Sequence, residues 1–281
     1  MERQRYLFKL YYIGSKKFYG SQRQTEFLTV ESCLLNALLE KEYISGVKNS
    51  GFEMASRTDK LVSARGACFS CILEKRPVLM GINSVLPKEI GLWALTQVPL
   101  EFSSRFNALY RHYRYIVPQP LSFFQKEVSI DLNLIDNACK VLKGEHNFKN
   151  FSKIENQDVK TRRFLNECKM GIKNDYIIFD FKSKAFLRQQ IRRVVKKLLE
   201  LGLGDISYEQ FLSLFHETNY ISYQPADPRG LILWEISFNK DVKFEEDILS
   251  KERMINVFSK KEQDFKFKYN LFKILQENDV S

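Results

Sequence analysis

The sequence has few of the side chains on which disulfide-bonded, metal-binding and membrane proteins depend. Its five cysteines are an odd number, and its three histidines stand at no metal-ligand spacing with them. No apolar run approaches the ~18 residues of a membrane span, and residues 1–5 lack the apolar core of a secretion signal. We therefore expect a globular cytoplasmic protein with free thiols and without a metal ion.

Two catalytic patterns are also missing. No glycine-rich loop follows a predicted strand, which argues against nucleoside triphosphate chemistry. No two carboxylates stand at the helical or strand spacing of an acid–base pair, which argues against most hydrolases. Cys68 and Cys71 form a C-x-x-C, but in a predicted strand an offset of three residues places them on opposite faces.

Charge is distributed unevenly along the chain. There are 44 lysines and arginines against 34 aspartates and glutamates. The segment 240–281 contains nine basic and nine acidic residues, so the whole basic surplus belongs to residues 1–239. A basic body favours a polyanionic partner, and the alternative is that the charge serves solubility alone.

Hydrophobic periodicity predicts an α+β protein with two similar halves, a neutral tail, and no literal repeat. Strands are predicted at 6–13, 66–73, 90–98, 111–117, 161–170, 176–182 and 231–238. Helices are predicted after a Thr29 cap, in a short piece before Pro87, near 131–143 and at 186–201. We place the first half at 1–105, the second at 106–239, and a helical or partly disordered tail at 240–281.

The longest predicted helix has an apolar core face and a basic border. Arg188, Arg192 and Lys196 follow one another at four-residue spacing along this border. Such a row suits contacts with a polyanion.

One acidic residue stands in a setting that looks arranged for chemistry. Asp59 lies in a polar turn, between Arg57 and Lys60, just before a predicted strand. Neighbouring cations keep a carboxylate ionised and attract a phosphate backbone, as a nucleophile working on a nucleic acid requires. From these residues alone, the alternative that the Asp only caps the loop stays open.

Alternation along 111–117 brings a cation and two phenol rings to one face of a strand. Arg111, Tyr113 and Tyr115 point the same way. Rings beside a guanidinium suit an unstacked base. The alternative is ordinary core packing of tyrosines.

Seven separated segments together resemble one family, the tRNA pseudouridine synthases of the A type. In the family's order they are 18–24 (F-x-G-W-Q-x-Q), 29–31 (T-V-E), 56–64 (G-R-T-D-[AK]-G-V-[HS]-A), 105–115 (R-F-x-A-x-x-R-x-Y-x-Y), 144–148 (G-x-H-D-F), 185–195 (F-L-x-x-x-[VI]-R-x-[IV]-V) and 225–231 (P-A-x-P-x-G-L). The resemblance implies the pseudouridine synthase fold, in which two α+β halves with an antiparallel or mixed sheet enclose a central basic cleft.

The resemblance also implies a reaction and its residues. Asp59 matches the nucleophile, which attacks a uridine of the tRNA anticodon arm at position 38, 39 or 40. Arg192 matches the arginine that pairs with this carboxylate. Tyr113 matches the ring that stacks on the flipped base and is a candidate to take the carbon-5 proton. Arg57 matches the side chain that helps to push the base out of the stack. The reaction is an isomerisation, so no cofactor is implied, and the implied assembly is a homodimer.

RNA contacts are expected from basic residues around the cleft, where phosphate neutralisation releases counterions. These residues are Lys16, Lys17, Arg23, Arg188, Arg193 and Lys196. Two positions depart from the family pattern, because Leu61 replaces a glycine after the Asp and Ser21 replaces a tryptophan. If the glycine serves a positive φ, Leu61 strains the loop. Two alternatives stay open, a catalytically inactive tRNA-binding relative and a basic interaction protein that acts through its tail.

Overall fold

A mixed, mostly antiparallel sheet of ten strands organises the computed structural model, which describes residues 3–154, 159–216 and 220–277. The strands are β1 (Gln4–Tyr12), β2 (Glu53–Met54), β3 (Ser63–Leu73), β4 (Ile90–Val98), β5 (Tyr110–Pro120), β6 (Gly144–Asn147), β7 (Arg162–Lys173), β8 (Tyr176–Ser183), β9 (Leu231–Ser237) and β10 (Glu245–Glu246). The helices are α1 (Val30–Glu40), α2 (Leu79–Asn83), α3 (Leu121–Glu127), α4 (Leu132–Leu142), α5 (Gln190–Gly202), α6 (Tyr208–Ser213) and α7 (Ile248–Ile274). The predicted α+β class is confirmed.

The order of the strands brings distant parts of the chain together at the middle of the sheet. It is β10-β4-β1-β3-β9-β5-β8-β7-β6, with β2 paired to β3. Among the described strands, β3 and β9 form the one parallel pair, in which Ser63 lies opposite Ile232. Because β9 separates β3 from β5, the loop that enters β3 and the side chains of β5 lie near each other. The sequence places Asp59 on the first and Tyr113 on the second.

A continuous apolar core fixes this arrangement. The aromatic residues of β1 and β3 stack in it, with the Phe8 and Phe69 ring centroids 4.8 Å apart. Helix α5 adds buried side chains, among them Ile191, Val195 and Leu198. Full burial of side chains of this size contributes about 1.5–3 kcal/mol each. The sheet therefore holds the site loops on a rigid base.

The long predicted elements are confirmed, and β4 keeps its predicted bounds of 90–98. Thr29 caps α1 as predicted. Its hydroxyl accepts from the Ser32 amide at 3.2 Å, and the Ser32 hydroxyl accepts from the Thr29 amide at 2.9 Å. The short elements β2, β6, β10, α3 and α6 were not predicted, because segments of two to seven residues are too short to show a periodicity.

One helix boundary is wrong in the sequence interpretation. The predicted helix 186–201 begins at Gln190, because Gln189 adopts a left-handed conformation with φ 58°. The Gln190 side chain then accepts from the Leu187 amide at 2.7 Å, which stabilises the turn ahead of the helix. Arg188 consequently lies on a loop, and the row that it was expected to form with Arg192 and Lys196 on one helix face does not exist.

The tail consists mainly of one helix. Ser250 and Met254 are buried near the start of α7, and Arg253 donates to the Tyr11 hydroxyl at 2.6 Å. From residue 259 to 277 every described residue is exposed. Residues 278–281 of the predicted tail lie outside the described part of the chain. Among the described helices, none combines the length and the apolar character of a membrane span.

Candidate active site

The loop that carries Asp59 is held by backbone contacts with the segment after β1. The Ser21 amide donates to the Thr58 carbonyl at 3.1 Å, and the Thr58 amide donates to the Ser21 hydroxyl at 2.8 Å. Gly20, at φ 83°, leaves so little room that a Cβ would lie 2.7 Å from the same carbonyl. Ser21 is fully buried here, so this position serves to anchor the loop.

Leu61 adopts the left-handed conformation that its position in the motif suggested, with φ 71°. Gly14 packs against it so closely that a Cβ there would lie 2.1 Å from the Leu61 carbonyl oxygen. A non-glycine residue in this region is strained by about 1–2 kcal/mol. The loop therefore keeps its shape in spite of the leucine, because the surrounding packing leaves it no room to relax.

Asp59 forms an ion pair with Arg192. Arg192 Nη1 donates to Asp59 Oδ2 at 2.8 Å. The guanidinium is itself oriented, since its Nε donates to the Ala226 carbonyl at 2.8 Å, and the Ala226 amide donates to the Arg192 carbonyl at 3.0 Å. The Arg192 side chain is buried, whereas that of Asp59 is 35% exposed. The carboxylate is thus fixed by a charge-assisted hydrogen bond and still open to a substrate.

Tyr113 projects from β5 beside this pair. Its hydroxyl shares a 2.8 Å hydrogen bond with Ser56 Oγ, and its ring meets Phe186 edge-on with centroids 5.4 Å apart. Burial raises the pKa of Tyr113, and the charge of Asp59 adds to the rise. The Ser56 hydrogen bond and the charge of Arg111 act in the opposite direction and do not cancel it. Tyr113 is therefore a neutral phenol at physiological pH.

An open cleft of about 900 Å³ contains these groups, a volume within the usual range of ligand sites. Asp59, Arg192 and Tyr113 line it together with Arg57 and Arg188. Five of the predicted site residues, from three separate parts of the sequence, are thus brought into one basic cleft.

The other predicted RNA contacts lie elsewhere. Lys16, Lys17 and Arg23 are exposed, and Lys196 pairs with a glutamate one turn further along α5 at 3.2 Å. The described residues that line the cleft do not include them. These four remain predictions for an RNA footprint wider than the cleft.

Arg193 requires a correction. It is only 4% exposed, and its guanidinium lies over the ring of Tyr223 at 4.8 Å. Its Nε and Nη1 atoms are buried without a hydrogen-bond partner. The sequence could not separate it from Arg192, because neighbouring residues of a helix point in directions that only the packing distinguishes. The structure does not support Arg193 as an RNA contact.

Arg111 has a structural role that the sequence interpretation missed. It is buried and donates to the carbonyls of Ala55 at 2.7 Å, Arg105 at 2.6 Å and Lys184 at 2.6 Å. Burial lowers the pKa of Arg111, yet three short bonds satisfy the group. The guanidinium lines the cleft with Tyr113, and it also ties the start of the Asp59 loop to two other segments.

Comparisons with known proteins show the family to which the chain belongs. A family model described as tRNA pseudouridine synthase matches residues 138–239. A tRNA pseudouridine synthase A of Methanothrix thermoacetophila is 33% identical over 250 residues, 88% of this chain and 87% of that protein. A protein of the same name from Methanosphaera stadtmanae is 32% identical over 276 residues, 96% of this chain and 98% of that protein. The chain belongs to the family of tRNA pseudouridine synthases, isomerases that convert uridine to pseudouridine in tRNA.

Proposed function

We propose that this protein isomerises uridine at positions 38, 39 or 40 of the tRNA anticodon arm, with Asp59 as the covalent nucleophile. The observation that carries the proposal is the 2.8 Å ion pair of Asp59 and Arg192 in an open basic cleft, beside the ring of Tyr113. The relatives are named as tRNA pseudouridine synthase A, which favours tRNA as the substrate. Such a substrate suits a cytoplasmic enzyme.

The carboxylate of Asp59 can serve as the nucleophile because its Oδ2 is held by Arg192 and its side chain is partly exposed. In the proposed reaction an Asp59 oxygen bonds to the uridine, and the bond between N1 and the ribose C1′ breaks. The uracil turns, C5 bonds to C1′, the proton on C5 leaves, N1 gains a proton, and Asp59 is released. Atoms and electrons balance without an oxidant or a second substrate, since uridine and pseudouridine are isomers.

Tyr113 is assigned to the base rather than to the sugar. Its ring borders the cleft and stacks on the extruded uracil. Because its pKa is raised, it acts as a phenol. If its oxygen receives the C5 proton, its own proton has to pass on at the same time. Ser56 Oγ at 2.8 Å is placed to accept that proton while it releases its own hydroxyl proton to solvent in the open cleft, from which N1 takes up a proton.

Extrusion of the base costs a few kcal/mol. Arg57, which is exposed on the cleft wall, is assigned to fill the space that the base leaves. Arg188 lines the same cleft and is assigned to a phosphate, as are Lys16, Lys17, Arg23 and Lys196 outside it. Binding by these side chains offsets the cost of extrusion and weakens as the salt concentration rises. We extend the proposal to a homodimer, on the family resemblance, which sedimentation of the purified protein tests.

The experiment is to incubate the protein with unmodified tRNA and to map pseudouridine at single-nucleotide resolution. We expect product at 38, 39 or 40, and none at a position where the uridine is changed to cytidine. Product confined to other positions would reject the assignment to the anticodon arm. A complete absence of product, with tRNA still bound, would favour the inactive relative.

The tail-mediated alternative is favoured by one observation, the exposed apolar side chains of the outer part of α7, among them Phe265, Phe267 and Phe272. Deleting residues 259–281 leaves the buried contacts of Ser250 and Met254 in place. If catalysis is the function, this truncated protein still forms pseudouridine at the wild-type rate. If the tail-mediated function is correct, catalysis is lost on this deletion with the fold intact.

A further inference from the structure

Two aromatic rings stack on each other at the mouth of the cleft. The ring centroids of Tyr19 and Phe27 are 3.9 Å apart, and their planes differ by 11°. Each side chain is 39% exposed. Adjacent exposed rings form a contiguous apolar surface of the kind on which a flat group can stack.

The loop between these residues holds the rings in place. The Tyr19 amide donates to the Leu28 carbonyl at 2.8 Å, so the two ends of the loop are joined. The Gln24 side chain donates to the Tyr19 carbonyl at 2.8 Å, which ties the middle of the loop to the same residue. The ring pair is therefore ordered before any ligand binds.

A cation covers the inner side of the pair. Lys60 Nζ lies 3.4 Å from the centroid of the Tyr19 ring. Since Phe27 already covers one face of Tyr19, Lys60 occupies the other. Both faces of Tyr19 are thus taken, and the outer face of Phe27 is the surface that remains for a further flat group.

The position of the stack connects it with the site. Lys60 directly follows Asp59, and Tyr19 lines the same cleft as that carboxylate. From the Asp59 loop outward the order is Lys60, Tyr19, Phe27. A group that stacks on Phe27 consequently lies beside the site and outside it, where a nucleotide near the target uridine would lie.

We propose that the outer face of Phe27 is a stacking platform for an unpaired base of the bound RNA. This inference rests on the proposed function and assigns a further binding contact to it. A base suits the surface because every base has a flat π-face, and each base–aromatic stack contributes about 1–3 kcal/mol. The basic cleft beside the rings favours RNA over an apolar protein segment.

The test combines a protein change with an RNA change. Unmodified tRNA transcripts are prepared in which single bases near positions 38–40 are removed to leave abasic nucleotides. Their dissociation constants are measured for the wild type and for Phe27→Leu. We expect Phe27→Leu to bind intact tRNA roughly 5- to 150-fold more weakly, the fold-change that corresponds to one lost stack. At one position, removing the base should weaken the wild type and leave Phe27→Leu unchanged, because both changes delete the same contact.

Two variants serve as controls. Phe27→Tyr keeps the ring and should bind as the wild type does. Phe123→Leu changes an aromatic side chain that is 44% exposed on α3 and does not line the cleft, and it too should bind normally. If Phe27→Leu binds as tightly as the wild type, if Phe27→Tyr is as weak as Phe27→Leu, or if no abasic position couples to Phe27, the platform is refuted. An apolar protein segment on this face would give the first of these results. Pseudouridine formation on the same tRNA tests the proposed function separately, since the platform is measured by binding alone.

Discussion

Leu61 offers a sharp test of how the active loop is built. The residue is held at φ 71°, in a region that L-amino acids avoid. Leu61→Ala and Leu61→Gly both remove the side chain, and they differ from each other by one Cβ. The comparison therefore isolates the backbone conformation from the loss of packing.

The expected difference follows from two opposing terms. A Cβ in the left-handed region raises the free energy of the folded state by about 1–2 kcal/mol, whereas glycine is free of this penalty. Glycine also makes the unfolded chain more flexible, which offsets about 0.4–1 kcal/mol of the gain. Leu61→Gly should therefore be more stable than Leu61→Ala by about 0.5–1 kcal/mol, the reverse of their order in a helix or strand. Gly14 prevents the loop from moving to a more favourable φ, since the Leu61 carbonyl packs directly against it.

The assay is thermal unfolding of both variants in one buffer, with urea unfolding as a check. We expect the midpoint of Leu61→Gly to lie about 1–3 °C above that of Leu61→Ala. An alanine variant as stable as the glycine variant, or more stable, would refute the strained loop. Activity gives a second result, because both variants should retain turnover if the wild type is active. The inactive-relative hypothesis instead requires that Leu61→Gly gain an activity that the wild type lacks.

Three further substitutions test the surroundings of the site. Arg192→Lys keeps a charge but cannot donate to Asp59 and to the Ala226 carbonyl at the same time. Single-turnover rates should therefore fall roughly 10- to 100-fold, while the dissociation constant for tRNA stays within about twofold. An unchanged rate would contradict the positioning role. Tyr223→Leu removes the ring under the buried guanidinium of Arg193, whose Nε and Nη1 have no hydrogen-bond partner. This change should lower the free energy of unfolding, measured in urea, by about 2 kcal/mol, whereas Tyr223→Phe should lower it by less than about 1 kcal/mol. Equal losses would refute the cation–π contact. Burial acts to raise the pKa of Asp180, but hydrogen bonds from His112 and Arg114 of β5 outweigh it and lower the pKa overall. The resulting stabilisation of the folded state is therefore present above the unfolded-state pKa of about 3.9 and disappears as the pH falls through the folded-state pKa. The difference in unfolding free energy between wild type and Asp180→Asn should shrink as the pH falls, and a constant difference would reject the assignment.

The regular part of the fold was predictable because long segments carry their periodicity in the sequence. Residues 90–98 are apolar or glycine except at Thr96 and Gln97, and the strand has those bounds. The Thr29 cap was also predictable, since a threonine just before an apolar helical pattern commonly serves as the N-cap of the helix. The wrong prediction concerned a local feature, the start of a helix. The start of α5 depended on the left-handed turn at Gln189, which the apolar pattern of the segment did not indicate.

The sequence predicted which residues form the site better than it predicted which groups their side chains contact. The family resemblance brought Asp59, Tyr113 and Arg192 together, and the described geometry places them in one cleft. Arg193 was misinterpreted, and the carbonyl contacts of Arg111 were missed, because a basic residue in a sequence pattern gives no sign of whether it faces solvent or satisfies buried carbonyls. Burial of a guanidinium is decided by packing between distant segments, which a local pattern of residues does not show.

The central claim is that the Asp59 carboxylate carries out the covalent chemistry, and Asp59→Asn tests it most directly. Asparagine keeps the size of the side chain and an oxygen for Arg192, so the cleft should remain intact and tRNA should bind with a dissociation constant within about twofold of the wild type. We expect pseudouridine formation in single-turnover conditions to fall by more than about 10³-fold, as it does when a nucleophile is removed. A variant that converts uridine within tenfold of the wild-type rate would contradict the account.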